Sequence, residues 1–334
     1  MQYFTFKLDL ESQKFCAIST PFGLSKYNPN PMAIKQSSDI AQEVMENQLR
    51  DIDDANIYID DIGCFSSTVA TRIQTLDVIL THLEQNRFTV NPSKCEWAVQ
   101  ETDWLGYWLT PTGLKPWSKK INAIIAMQAP VNNKQDRSFI GAVIYYCDMW
   151  PRCSHILAPL TNLTGKGTFV WTTIHQQVFD AMKALMVEDV LLRYPNHNLP
   201  FHICTDASDS QLCSVILQQD IPVAFYSCNL SLSQQNYTTI EKDLLSIVET
   251  LHNFRSMLLG ADIHIYTDHR NLTHNFLSTQ HVLRWCLSIE EFHPTFHYIK
   301  GVDNVVADAL SHLTIKALSE VGMIQHDVDP EYNA

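Results

Sequence analysis

Six carboxylates stand where they could hold metal ions. Asp60 and Asp61 are adjacent, at the end of the apolar, β-prone run Asn56-Ile57-Tyr58-Ile59. Like charges that close repel, and a hard divalent cation offsets the repulsion because it takes carboxylate oxygens together with substrate phosphates. Side chains alternate along a strand, so a tight turn is the natural way to bring both acids to one cation. The plain reading of a bare Asp-Asp is an acidic hairpin turn. The other four acids lie beyond Pro200. Asp206 closes His202-Ile203-Cys204-Thr205, Glu241 falls in a long helical pattern, Asp268 closes Tyr266-Thr267, and Asp308 sits among Val305, Val306, Ala309 and Leu310. Four acids on one pocket would hold two Mg2+ ions, one activating the attacking water and the other stabilising the leaving oxygen of a phosphodiester. Taken singly, each acid reads more readily as a cap or a solvated charge.

The elements that must position these acids are legible in the text. Residues 1–30 alternate aromatic and polar positions and end in turn-rich Pro21-Phe22-Gly23 and Asn28-Pro29-Asn30-Pro31, the grammar of hairpins. A helix is predicted over 38–50, then the strand 56–59 with its acidic turn. A second helix follows over 68–86, with Ile73, Leu76, Ile79, Leu80 and Leu83 on one face. Residues 91–116 are aromatic and loop-rich. Residues 118–163 are helical in pattern, broken at Pro130, Pro151 and Pro159, and Trp171 to Leu192 reads as one more amphipathic helix. Beyond Pro200, strand-like runs at 201–205, 211–218 and 222–228 precede a helix over 238–257 and a strand over 262–267. Helical segments at 270–277 and 281–291, a strand at 295–299 and a helix at 304–313 complete a mixed α/β sheet. Acids at its strand ends, joined by helix-borne acids, would share one corner.

Composition bounds the partners. At 334 residues, several domains are expected, and 46% hydrophobic with 18% charged residues marks a globular chain. A net charge of −13 argues against a protein that coats nucleic acid, though not against one that binds it locally. Nine cysteines form no C-x-x-C pair, which disfavours zinc and suits buried free thiols in a reducing compartment. No apolar run reaches membrane-spanning length and no signal peptide is legible, so neither a membrane nor secretion is expected.

The ordered motifs resemble the reverse transcriptase–ribonuclease H segment of a gypsy-type LTR retrotransposon Pol polyprotein. Tyr58-Ile59-Asp60-Asp61 corresponds to its Y-x-D-D polymerase box, Asn91 to Glu96 to its lysine-bearing loop, and Trp104-Leu105-Gly106-Tyr107 to its primer-gripping hairpin. Phe139-Ile140-Gly141 with Tyr145-Tyr146 resembles the thumb signature, and Ala158-Pro159-Leu160-Thr161 with Trp171-Thr172 the passage into a tether helix. Thr205-Asp206-Ala207-Ser208, Tyr237 to Glu241, Thr267-Asp268-His269 and Ala307-Asp308-Ala309-Leu310-Ser311 match the ribonuclease H boxes in order. The resemblance implies α/β and α+β multidomain architecture: a partial, ferredoxin-like polymerase palm over 1–115, thumb-like helices over 116–164, a linker and tether helix over 165–200, a ribonuclease H-like mixed sheet with helices over 201–315, and a tail over 316–334.

It also implies departures. The palm's third acid belongs upstream of Met1, so the chain reads as truncated at its N-terminus and Asp9 as an ordinary hairpin acid. Pro31-Met32-Ala33-Ile34 carries Ala33 where the family has glycine. Cys147 stands in place of the thumb's arginine and Cys213 in place of a strand glycine, and Lys300 to Asn304 contains no histidine. The resulting expectation is Mg2+-dependent (or Mn2+-dependent) cleavage of RNA in RNA–DNA hybrids. Asp206, Glu241, Asp268 and Asp308 would hold two ions, while Asp60 and Asp61 would form an orphaned polymerase metal site. Lys94, Trp104, Gly106, Tyr107, Arg270, Arg284 and Lys300 are the candidate contacts to a hybrid or primer–template. The implied setting is intracellular, cytoplasmic within a virus-like particle or nuclear. The alternatives are an inert mobile-element remnant or nucleic-acid-binding interaction protein, and an active RNA-directed DNA polymerase completed by upstream sequence.

Overall fold

The aromatic-polar alternation of the first residues leads into a hairpin, β1 (Ala17–Thr20) and β2 (Gly23–Lys26). The computed structural model describes residues 6–31, 34–66, 68–165, 167–188, 190–267 and 280–299. The chain divides into two compact units, residues 1–98 and 99–334.

In the first unit, α1 (Ser37–Leu49) buries Ala41, Met45 and Leu49, a spacing of four that puts all three on one face. Next come β3 (Ala55–Tyr58), β4 (Asp61–Cys64) and α2 (Val69–Gln85), whose N-terminus is capped by the Thr68 hydroxyl accepting from the Thr71 N–H at 3.2 Å. Ile79 and Leu83 close the small core against Met45 and Leu49. The apolar stripe expected on α2 is only partly used: Ile73 is 63% exposed and Leu80 is exposed as well. The departure at Ala33 lies outside the described residues, as does its neighbour Met32.

The second unit opens with a three-stranded meander, β5 (Thr102–Trp104), β6 (Tyr107–Leu109) and β7 (Leu114–Pro116). Four helices follow: α3 (Ser118–Ile125), α4 (Asn133–Ile144), α5 (Cys153–Leu163) and α6 (Thr173–Val187). They share a core that includes Phe139, Trp150, Leu157, Phe179 and Met182. Pro130 and Pro151 fall between helices as expected, but Pro159 lies inside α5. The buried neighbours Ile156, Leu157 and Leu160 hold that turn by packing where the proline removes a backbone donor. The helix expected to run to Leu192 stops at Val187. Leu192 instead pairs with Leu114 at the edge of the meander, with N–H···O=C distances of 2.8 and 3.0 Å. A Cβ on Gly113 would stand 2.3 Å from the Leu192 carbonyl oxygen, so only glycine permits this approach. The cysteine expectation also needs correction. Cys147 and Cys153 form a disulfide, while the other seven are free.

The last strands build one five-stranded sheet in the order β10-β9-β8-β11-β12, from β8 (Phe201–Ala207), β9 (Gln211–Gln218), β10 (Ile221–Asn229), β11 (Ile263–Thr267) and β12 (Thr295–Tyr298). The first three pair antiparallel, and β8, β11 and β12 run parallel. Phe201, Ile203, Ile263 and Ile265 point from alternate positions into a core with α7 (Thr239–Asn253), the short α8 (Arg255–Leu258) and α9 (Gln280–Glu290). The helices expected over 270–277 and 304–313, and the tail, lie outside the described residues.

Candidate active site

Asp206 is the penultimate residue of β8 and pairs across the sheet with Cys213 of β9. Burial in this neighbourhood is deep, and it pushes the Cys213 thiol up to about 12 against the pull of the nearby Arg152 charge. Strand β11 runs parallel to β8 with Tyr266 opposite Cys204, so both strands end at the same edge of the sheet.

Helix α7 covers that end. Lys242 reaches Asp209 in the β8–β9 turn at 2.9 Å, and the Ser246 hydroxyl donates to the Cys213 carbonyl at 3.1 Å. Asp243 lies between these two anchors and is buried, 4% exposed. Glu241 has a different assignment. Its Oε2 accepts from the Thr238 N–H and hydroxyl, each at 2.9 Å, completing a capping box at the start of α7, and its Oε1 meets His281 Nε2 of α9 at 2.9 Å. The Thr238 N–H holds its carboxyl below the usual range, with His281 adding to the effect and burial opposing it.

The sequence reading names Glu241 and does not single out Asp243. The signal was the helical period: Asp243, Ser246 and Thr250 are spaced three and four apart, and Thr250 also faces the sheet, with its hydroxyl 2.7 Å from that of Ser214. Asp268 and Asp308 lie outside the described residues. Among the described residues no group of three or more His, Cys, Asp or Glu side chains is placed to hold a metal ion.

In the first unit, Asp60 and Asp61 are both exposed on the β3–β4 hairpin, with Asp61 paired to Tyr58. The turn is held from α1: Gln42 accepts from the Ile59 N–H at 2.6 Å and donates to the Ile57 carbonyl at 3.0 Å. Ile59 takes φ +54°, unusual for a β-branched residue and consistent with a backbone held from outside. Asp9 accepts from the N–H groups of Glu11 and Ser12, each at 2.8 Å, and from the Ser12 hydroxyl at 2.7 Å, so its carboxylate caps a local turn.

The described candidate nucleic-acid contacts fall on separate elements. Lys94 is exposed in a short turn of 3-10 helix whose Asn91 cap accepts from the Ser93 N–H at 3.1 Å. Trp104 and Tyr107 pair across the β5–β6 turn, where Leu105 and Gly106 have φ +50° and +85°. That turn is gripped from the end of α4: the Tyr146 hydroxyl donates to the Gly106 carbonyl at 2.6 Å, the Tyr145 hydroxyl to the Leu105 carbonyl, and the Tyr107 hydroxyl to the Tyr145 carbonyl at 3.0 Å. Burial pushes the Tyr146 phenol up to about 12. Arg284 is exposed on α9, and Arg270 and Lys300 lie outside the described residues.

An acidic hairpin in one unit and a five-stranded mixed sheet with helices in the other fit the architecture of a reverse transcriptase joined to a ribonuclease H-like domain. Residues 2–109 match the family described as reverse transcriptase (RNA-dependent DNA polymerase), and residues 171–265 match the RNase H-like domain found in reverse transcriptase. The chain is 32% identical over 332 residues to the retrovirus-related Pol polyprotein from transposon 297 of Drosophila melanogaster, covering 97% of this chain and 31% of that protein. It is 33% identical over 321 residues to the corresponding polyprotein from transposon opus of the same organism, covering 89% of this chain and 32% of the relative. The chain therefore spans about a third of the curated relatives it matches. Its fold is similar to the foamy viral protease-reverse transcriptase solved in complex with RNA/DNA hybrid, with a TM-score of 0.79 at 20% identity over 90% of this chain and 43% of that one. The chain belongs to the reverse transcriptase–ribonuclease H part of the Pol polyproteins of LTR retroelements.

Proposed function

We propose that the ribonuclease H-like domain of this chain cleaves the RNA strand of RNA–DNA hybrids, using Mg2+ held by Asp206 and Asp243. Asp268 and Asp308, matched to the family's boxes by sequence, would complete the set. The observation that carries this reading is the arrangement at the β8 end, where α7 is pinned by Lys242–Asp209 and Ser246–Cys213 and carries a buried carboxylate between the pins. Buried carboxylates are retained where a cation or proton compensates them, and an all-oxygen acid set suits a hard divalent ion. When bound there, such ions would supply activation of water and stabilisation of the leaving oxygen. The protein's own contribution is to hold the acids rigidly: the capping box fixes where α7 starts, and its serine and lysine fix how it lies on the sheet. Glu241 serves that capping, with both its oxygens engaged. Arg284, exposed on α9, would meet phosphate, and a hybrid would be recognised by groove shape and 2′-OH contacts. The implied site of action is intracellular.

The direct test is incubation of the full chain with labelled hybrid, single-stranded RNA and duplex DNA in Mg2+. Selective cutting of RNA in the hybrid, abolished by Asp206→Asn, is the expected result. Absence of cleavage would favour the inert or purely binding alternative.

A second reading rests on the hairpin. Gln42 holds the Asp60-Asp61 turn in place, which supports nucleotidyl transfer at that turn in a longer polypeptide that supplies the further acid. Primer extension dependent on Asp60 would establish it.

A further inference from the structure

The segment between α4 and α5 is the joint at which the helical cluster meets the sheet. Phe225 of the edge strand β10 packs on that cluster. Ser154 fastens the joint: its N–H donates to the Ser227 hydroxyl at 3.0 Å, its hydroxyl donates to the Ser227 carbonyl at 2.7 Å, and its carbonyl accepts from the Asn229 side-chain amide at 2.8 Å. Cys147 and Cys153 bracket the segment, with Cα atoms 5.4 Å apart. Between them Met149 and Trp150 are fully buried, and Arg152 is buried in a left-handed conformation at φ +56°. A left-handed arginine is disfavoured and persists only where neighbours hold it. The bond at the next residue, Cys153, supplies such a restraint. The Arg152 charge in turn lies near enough to oppose the rise of the thiol of Cys213, the residue paired with Asp206.

We infer that the Cys147–Cys153 pair is a redox-controlled clasp of this joint, closed as the disulfide and opened by a small-molecule thiol such as reduced glutathione. The chemistry is thiol exchange. Cys147 is half-buried and Cys153 fully buried, so an incoming thiolate meets the Cys147 sulfur, forms a mixed disulfide and expels the Cys153 thiolate. A second thiol then attacks the mixed disulfide and releases Cys147. The two thiols leave as one oxidised disulfide, and their two protons pass through solvent to the freed cysteines. The pair is set apart from the remaining cysteines, which are free, and burial pushes the thiols of Cys64, Cys228 and Cys286 up, away from the reactive thiolate. The inference needs no catalytic activity, so it stands or falls separately from the proposed function.

The test equilibrates the full chain in glutathione buffers of graded redox poise and combines differential alkylation with hydrogen exchange, both read by mass spectrometry. Cys147 and Cys153 should titrate together as one two-electron unit. On reduction, exchange over residues 145–160 and 222–229 should quicken by about tenfold, while α7 and β11 stay unchanged. C147S, and independently C147A, should show the fast pattern in every buffer. The inference is overturned if both thiols alkylate freely in oxidising glutathione, or if exchange across the joint is the same in both states.

Discussion

His281 Nε2 stands 2.9 Å from Glu241 Oε1, tying α9 to the first turn of α7 through a carboxylate whose other oxygen is already closed into the Thr238 capping box. The bond makes Glu241 a fastening between two helices. Substituting Thr238→Ala or Glu241→Gln should lower stability by about 1 kcal/mol in denaturant titrations at neutral pH. The pH dependence has a definite sign. The folded carboxyl lies below its ordinary 4.5, so its contribution is present above that value and is lost as pH falls through the lower folded pKa. Glu241→Gln should therefore flatten the acid limb of the stability curve.

Asp136 shows the opposite sign. It is wholly buried in the first turn of α4, neither carboxylate oxygen has a hydrogen-bond partner, and burial pushes its pKa up to about 6 from 3.8. The folded state thus binds the proton more tightly. The resulting stability is fully present below the unfolded pKa and is lost as pH rises through about 6. Asp136→Asn should raise stability at pH 7 by as much as about 3 kcal/mol, with the gain shrinking toward zero in acid. Paired urea titrations across that range read the difference.

Gly106 should tolerate no side chain. At φ +85° a Cβ is strained, and it would lie 3.3 Å from both Tyr145 Cε1 and the Tyr146 hydroxyl. Gly106→Ala should loosen the β5–β6 turn and speed its amide exchange. Tyr146→Phe, which removes the bond to the Gly106 carbonyl, should cost about 1 kcal/mol.

Trp150 is the largest fully buried side chain of the helical cluster. Trp150→Ala should destabilise the second unit by about 3–5 kcal/mol, read as a lowered thermal midpoint. A loss under about 1 kcal/mol would show that the cluster does not fold as one core.

Much of this was legible in the sequence, and the failures share a cause. The Asp60-Asp61 hairpin, the strand at β8 and the helix at α7 are written locally, in alternation, turn residues and helical period. Where tertiary contacts decide, local reading fell short. Pro159 sits inside α5 because Leu157 and Leu160 pack around it, and Leu192 leaves the helical pattern because Leu114 offers it a strand partner. The same holds at the candidate site. Glu241 and Asp243 are two residues apart, so their roles depend on which face of α7 meets the sheet, and Ser246 and Lys242 reveal that face only once folded.

The most direct measurement is single-turnover cleavage of a labelled RNA–DNA hybrid in Mg2+ by the full chain and its Asp206→Asn, Asp243→Asn and Glu241→Gln variants. Loss of about a hundredfold or more in the first two, with Glu241→Gln close to the parent, is the expected result. Undiminished cleavage by Asp243→Asn, together with loss in Glu241→Gln, would contradict the assignment of the α7 carboxylate.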